Sequence, residues 1–143
     1  MHYVQALPGD ARHLHTSRYS MRWSDMDAFG HVNNATYFTF FEQARVDWLA
    51  SLGEAHELVL ANVSCTFFRP LVYPGDIQVD LFAGRVGRSS LESFYKVRRV
   101  DQPERLCTLG HGTIVWFDHR AGASVEIPEA VRRELAGPGA RGR

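Results

Sequence analysis

The chain has 143 residues, 16 Lys plus Arg against 16 Asp plus Glu, and is 45% hydrophobic and 12% aromatic. That length fits one domain able to bury roughly two-thirds of its unfolded surface without metal or disulfide staples, and the composition excludes disorder for the bulk of the chain. Zero formal net charge removes the Lys/Arg excess with which a general nucleic-acid binder neutralises phosphates, so no nucleic-acid partner is expected.

Residues 1–15, with Pro8-Gly9-Asp10, read as an N-terminal arm, 16–136 as a single domain, and 137–143 (GPGARGR) as a flexible tail. The stretch from Thr16 to Trp23 reads as a first strand, broken by the turn-rich Ser24–Gly30. Asn33 or Asn34 then offers an N-cap for a long helix that stops at Gly53. Nine of the fifteen residues from Ala35 to Leu49 are apolar, so this helix must be covered on most sides. Residues 57–69 alternate, with Val59, Ala61, Val63, Cys65 and Phe67 on one side, and 76–86 place Ile77, Val79, Leu81 and Ala83 on one side. Strands over 90–100 and 105–118 follow, then a short amphipathic helix near 127–136. The fold class is therefore α+β: a five-stranded antiparallel sheet wrapped around one long central helix uses all the apolar surface. Its edge strands carry unpaired backbone groups, which edge-to-edge pairing of two copies would satisfy.

Cys65 and Cys107 stand far apart in apolar stretches with no CxxC or zinc-type spacing, and read as reduced thiols. The chain opens without a basic-then-apolar leader and contains no run of about 18 apolar residues, so the expectation is a soluble cytoplasmic protein with no membrane partner. Fifteen of the sixteen cations are Arg, a residue suited to bidentate contacts with anions, although compositional bias accounts for most of them.

Chemistry concentrates between the first strand and the helix, where Asp25, Asp27, His31, Asn33 and Asn34 crowd together. The first turn of a helix presents unpaired N–H groups to an anion or to an oxygen on which negative charge develops. A carboxylate held beside it serves as base or nucleophile on the carbonyl bound there. Turn chemistry alone would also account for both Asp residues, and His31 reads equally as a satisfied hydrogen-bonder. Glu42 and Arg45, three apart on the helix, read as a pair with each other or as caps on buried polar groups. No G-x-S-x-G elbow, H-E-x-x-H or P-loop is present.

Asp25-x-Asp27-x-x-Gly30-x-Val32, followed by Asn33-Asn34-x-x-Tyr37 and Glu42-x-x-Arg45, resembles the hotdog-fold acyl-CoA thioesterases of the 4-hydroxybenzoyl-CoA thioesterase type, including their long-chain acyl-CoA branch. The likeness runs through Arg69-Pro70-Leu71, Gly75-Asp76 and Gly87-Arg88-Ser89-Ser90, and covers about residues 17–120. It implies a hotdog fold that hydrolyses a fatty or aromatic acyl thioester of CoA or acyl carrier protein. No cofactor is implied, coenzyme A being part of the substrate, and no metal. By the same resemblance, Asp27 is the catalytic carboxylate, as nucleophile or as general base, and the Asn34 N–H polarises the thioester oxygen. His31 and Asn33 orient the water or the acyl group, Tyr37 is a core aromatic beside an acyl tunnel, and Arg88, Ser89 and Ser90 contact the CoA or pantetheine portion, often across a subunit boundary. Turn chemistry makes Asp25 structural, bonding turn N–H groups, and the resemblance leaves Glu42 a second candidate because some hotdog thioesterases place a catalytic Glu on this helix. The resemblance further implies a homodimer with two interfacial sites, commonly a homotetramer built as a dimer of dimers. Two other functions stay open: a non-catalytic acyl-thioester binder, and an acyl-CoA hydratase or dehydratase. The latter chemistry uses an Asp and a His with four residues between them, whereas three residues lie between Asp27 and His31.

Overall fold

The computed structural model describes residues 4–54 and 57–137. Strands β1 (Arg12–Ser20), β2 (Leu58–Phe67), β3 (Asp76–Val86), β4 (Ser90–Arg99) and β5 (Thr108–Asp118) form an antiparallel sheet in the order β1-β3-β4-β5-β2. A two-residue strand, β6 (Ala123–Ser124), adds to β5. Helix α1 (Thr36–Ser51) lies along the inner face and α2 (Glu129–Ala136) follows the last strand. Among the described residues no helix is long and apolar enough to cross a membrane.

The period-2 pattern of β3 works as expected: Ile77, Val79, Leu81 and Ala83 all enter the core. They meet Tyr37, Phe40, Phe41, Ala44 and Trp48 of α1, and Phe41 stacks on Tyr95 of β4 with ring centroids 4.6 Å apart. Gly110 on β5 makes room for that stack, since a Cβ there would stand 2.5 Å from the Phe41 ring. The helix stops where the sequence places its terminator. Gly53 adopts φ +70, and the Leu52 and Gly53 N–H groups close back onto Leu49 O and Ala50 O.

Several boundaries differ from expectation. β1 begins at Arg12, inside the segment read as arm, and ends at Ser20, because Met21 and the short 3-10 turn Trp23–Asp25 leave the sheet. The turn is held by the Asp25 carboxylate, which accepts the Arg22 N–H at 2.8 Å. In β2 the register slips between Leu60 and Asn62, a bulge that breaks the predicted alternation at Ala61. Val63 and Cys65 pack against the core as predicted, as does Leu58, which the uninterrupted alternation put on the other side. Residues 138–143 of the expected tail lie outside the described residues.

The arm is also more tied down than its composition implies. Val4 O accepts the Thr66 hydroxyl at 2.6 Å on one edge strand, and the chain enters β1, the opposite edge, at Arg12. Thr66 alternates with the inward-facing Cys65, so the arm crosses the outer face. Phe94 and Leu109, which belong to that face, are 2% and 1% exposed.

Helix α1 is buried on one side only. Phe38 and Val46 on its other side are exposed, as are Leu60 and Phe67 of the neighbouring edge strand β2. The cover expected on most sides is therefore incomplete within one chain.

Candidate active site

The loop carrying Asp27 and His31 is a small hydrogen-bonded hairpin between β1 and α1. A bridge joins Met26 to Val32, the Asp27 N–H donates to His31 O at 2.8 Å, and the Gly30 N–H donates to Asp27 O at 3.1 Å. Gly30 takes φ +80 at the turn, a conformation that favours glycine. Below the hairpin, buried Asp25 accepts from Arg22 N and from Arg22 Nη2, and its carbonyl takes the Asn33 N–H. These bonds give Asp25 the structural part expected of it.

Asp27 is half-buried. Its Oδ1 accepts the Phe29 N–H at 2.9 Å and lies 3.5 Å from the His31 N–H, while Oδ2 takes no hydrogen bond among the described residues. One oxygen therefore fixes the loop and the other is unbonded among the described residues. Asn33 closes an Asx turn, its Oδ1 accepting the Ala35 N–H at 2.9 Å while its carbonyl accepts the Thr36 N–H. The N-cap position is Ala35, which makes no side-chain cap, so neither Asn33 nor Asn34 is the cap the sequence offered; the Asn33 side chain is occupied by the turn just ahead of the helix. The Asn34 N–H takes no partner among the described residues.

His31, Asn34 and Tyr37 line one cavity of about 290 Å³ with Phe67, Phe68 and Arg69. Tyr37 forms its buried wall, edge-on to Phe40 and Phe67, and burial pushes the phenol up to about 12. Asp27 lines a neighbouring cavity of about 630 Å³ with Trp23, Met26, Val72 and Tyr73. Trp23 and Phe29 stand 77% and 85% exposed at this rim. The floor of the site is bonded to the loop: the Val32 N–H donates to Leu71 O, and Arg99 donates to Val72 O at 2.7 Å and to Pro74 O at 2.9 Å.

Arg88, Ser89 and Ser90 do not join this group within one chain. They form the β3–β4 turn, where Ser89 O accepts the Trp116 N–H and Arg88 O accepts the Ile127 N–H. The site loop meets the other end of β3, Met21 donating to Gly75 O, and a strand of this length spans about 35 Å. Arg88 pairs with Glu126 at 3.3 Å, both well exposed. Glu42 and Arg45 do not pair with each other either. Arg45, 7% exposed, donates from Nη1 to Tyr95 Oη at 3.1 Å, and Glu42 points to solvent. Cys65 and Cys107 are free, and burial pushes the Cys65 thiol up to about 12.

The lining residues Phe67, Phe68, Trp23, Val72 and Tyr73 escaped sequence reasoning. The signal was Phe67-Phe68 at the end of β2 and the run Leu71-Val72-Tyr73 in the connection to β3, whereas Trp23, between Arg22 and Ser24, carried none.

Residues 21–135 match the model of the thioesterase-like superfamily. The chain belongs to that superfamily. The fold is the hotdog fold, with strong likeness to solved members. A putative thioesterase from Pseudomonas aeruginosa is 36% identical, with a TM-score of 0.83 over 87% of this chain and 99% of that one. A putative acyl-CoA thioesterase from Xanthomonas campestris is 36% identical, with a TM-score of 0.68 over 76% of this chain and 96% of that one. The uncharacterized protein YsmA of Bacillus subtilis strain 168 is 31% identical over 83% of each chain. In this thioesterase-like chain the hairpin carrying Asp27 and the segment carrying Asn34 both lie within the matched residues.

Proposed function

We propose that the chain is a homodimeric thioesterase that hydrolyses acyl-CoA, or the equivalent acyl-carrier-protein thioester, to free acid and thiol. The observation that carries this reading is the Asp27 carboxylate, anchored through one oxygen with the other unbonded, on the loop that leads to the unpartnered Asn34 N–H two residues ahead of α1.

In this reading the thioester carbonyl oxygen accepts the Asn34 N–H, where the helix end favours negative charge. Attack by Asp27 Oδ2 on the carbonyl carbon expels the CoA thiolate and leaves a mixed anhydride that water hydrolyses. Alternatively Asp27 takes the proton of a water that attacks directly. Label found in Asp27 after single turnover in 18O-water is positive evidence for the anhydride route, since it enters the carboxylate only when water attacks the anhydride at the Asp27 carbonyl. Trapping of the acyl group by hydroxylamine as hydroxamate, without loss of the Asp27 requirement, accompanies that test.

The dimer follows from the exposed edge. Antiparallel pairing of β2 with the β2 of a second copy satisfies its free backbone groups and covers Leu60, Val46 and Phe38. Such pairing sets the Leu58 end of one strand beside the Phe67 end of the other. Because Leu58 lies opposite Trp116, which bonds Ser89, the β3–β4 turn of each copy then approaches the other copy's site. Arg88 is thereby brought within reach of CoA phosphates, for which its guanidinium is suited.

The test is hydrolysis of short, long and aromatic acyl-CoA esters by the wild type and by Asp27→Asn. Loss of at least about 10²-fold in kcat with CoA-ester binding retained is expected. Full activity in Asp27→Asn rejects this role for Asp27, and binding without hydrolysis by the wild type makes the chain a binder.

A further inference from the structure

A cavity of about 450 Å³ lies between α1 and β2, in the size range of small-molecule sites. Its walls are Val46, Leu49, Leu58, Leu60 and Ile114, with Glu42 at the solvent edge and Arg45 at the buried end. Arg45 is a cation 7% exposed that forms no ion pair among the described residues. Its hydrogen bond goes from Nη1 to Tyr95 Oη, with the guanidinium carbon 5.8 Å from the Tyr95 ring centroid. Tyr95 Oη in turn lies 3.0 Å from Ser93 Oγ, which donates to Gly112 O, so the side chain is held in place by a buried polar chain. A guanidinium has five N–H donors, and leaving a buried charge unpaired among apolar walls is costly. The donors not used on Tyr95 have the cavity before them.

We infer that this cavity takes the distal end of the acyl group and that Arg45 binds a carboxylate carried there, which makes ω-carboxyacyl thioesters the preferred substrates. The inference rests on the thioesterase dimer proposed above. Pairing of β2 with its copy sets the Leu58–Leu60 mouth of this cavity beside the Phe67–Arg69 cavity of the other protomer. An acyl group whose carbonyl sits at the Asn34 N–H of one copy then runs across the interface into the apolar channel of the other. Val46, Leu49 and Ile114 contact its methylenes, and among the described residues the charged group at the far end of the channel is Arg45. Glu42 stays at the rim, where solvent screens it.

The test compares three CoA esters: an ω-carboxyacyl ester, the methyl-ended acyl ester of equal length, and a hydroxyaryl ester. The wild type is expected to favour the carboxyl-ended ester over the methyl-ended one by about tenfold or more in kcat/KM, the range for a hydrogen bond to a charged group. Arg45→Met should abolish that preference while still hydrolysing the methyl-ended ester, because an apolar replacement leaves no buried charge unpaired. Arg45→Lys keeps the charge without the planar fork and should keep part of the preference. Equal rates on the two acyl esters, a preference unchanged in Arg45→Met, or a stronger preference for the hydroxyaryl ester would each overturn the inference. Calorimetric binding of a free linear dicarboxylate to the same proteins reads Arg45 without catalysis. Wild-type binding weakened at least about tenfold in Arg45→Met upholds the carboxylate site even if no ester is hydrolysed, and equal binding rejects it even if the enzyme is active.

Discussion

Asp27 and His31 close a reciprocal pair of contacts, the Asp27 N–H donating to His31 O at 2.8 Å while Asp27 Oδ1 lies 3.5 Å from the His31 N–H. Charge and loop geometry are therefore separable at this position. Asp27→Asn keeps an Oδ1 acceptor for the Phe29 N–H and should keep the melting temperature while losing activity. Asp27→Ala removes the acceptor as well and should also destabilise, by about 1 kcal/mol, the typical net worth of one hydrogen bond. Asp25→Asn should do the opposite, with a lowered melting temperature and a small change in kcat, since its carboxylate is spent on Arg22. Paired thermal melts and kinetics check all three, and a kinetic loss in Asp25→Asn at unchanged melting temperature would exchange the roles of the two acids.

Arg99 acts on the site through the segment it holds. Its guanidinium bonds Val72 O, Pro74 O and both oxygens of Asp101, and a Cβ at Gly75 would collide with it. The Asp101 carboxylate raises the Arg99 pKa, so the clamp stays charged at any working pH. Because Val72 and Tyr73 line the Asp27 cavity, Arg99→Ala should lower kcat/KM by up to about 10²-fold, the cost of an ångström of misplacement. Arg99→Lys, with one point of contact, should recover only part. A lowered melting temperature with unchanged kcat/KM would show that the segment does not position the substrate.

Glu92 and His111 meet on the outer face at 3.0 Å. Burial pushes the Glu92 carboxyl up, but the hydrogen bonds from His111 and the Arg85 N–H outweigh it, and the net pKa lies below its ordinary 4.5. A depressed folded-state pKa stabilises the native state above the unfolded value, and that contribution is lost as pH falls through the lower folded value. Glu92→Gln should therefore lower stability at neutral pH and flatten the acid limb of the stability curve below 4.5. Denaturant titrations at pH 7 and pH 3 test this, and equal destabilisation at both would remove Glu92 from the acid response.

Val46 is 54% exposed on α1 beside the β2 edge. Val46→Glu leaves the monomer's core untouched but places a carboxylate in the proposed interface. Sedimentation should show a dimer for the wild type and a shift towards monomer for Val46→Glu. A monomeric wild type would refute the shared interface.

The layout of the fold was readable because its strands pack one face against one helix. Ile77, Val79, Leu81 and Ala83 alternate without interruption, and Gly53 ends α1 where a positive φ is required. The Ala61 bulge was not readable, since an extra residue in an edge strand changes parity without changing composition. At the site, the clustering of Asp25, Asp27, His31, Asn33 and Asn34 marked the loop, but not which oxygen of which Asp would be spent on the backbone. The opposite ends occupied by Asp27 and Arg88 depend on strand direction, which no local pattern encodes. Arg45 illustrates the same limit. Three-residue spacing pointed to Glu42, but the helix turns Arg45 inward to Tyr95, fifty positions away.

The strand order also determines when each part of the chain finds its partners. β3, β4 and β5 are consecutive hairpins at the centre of the sheet, whereas β1 and β2 are its two edges and pair with β3 and β5. During vectorial synthesis the aromatic helix α1 and both edge strands are therefore made before any strand that can receive them. β1 waits for residues 76–86, β2 waits for residues 108–118, and the arm, bonded to Thr66, completes its path only once both edges are in place. Until then Phe40, Phe41 and Trp48 lack their sheet, so a ribosome-bound chain stalled before β5 is the form in which this protein depends most on chaperones.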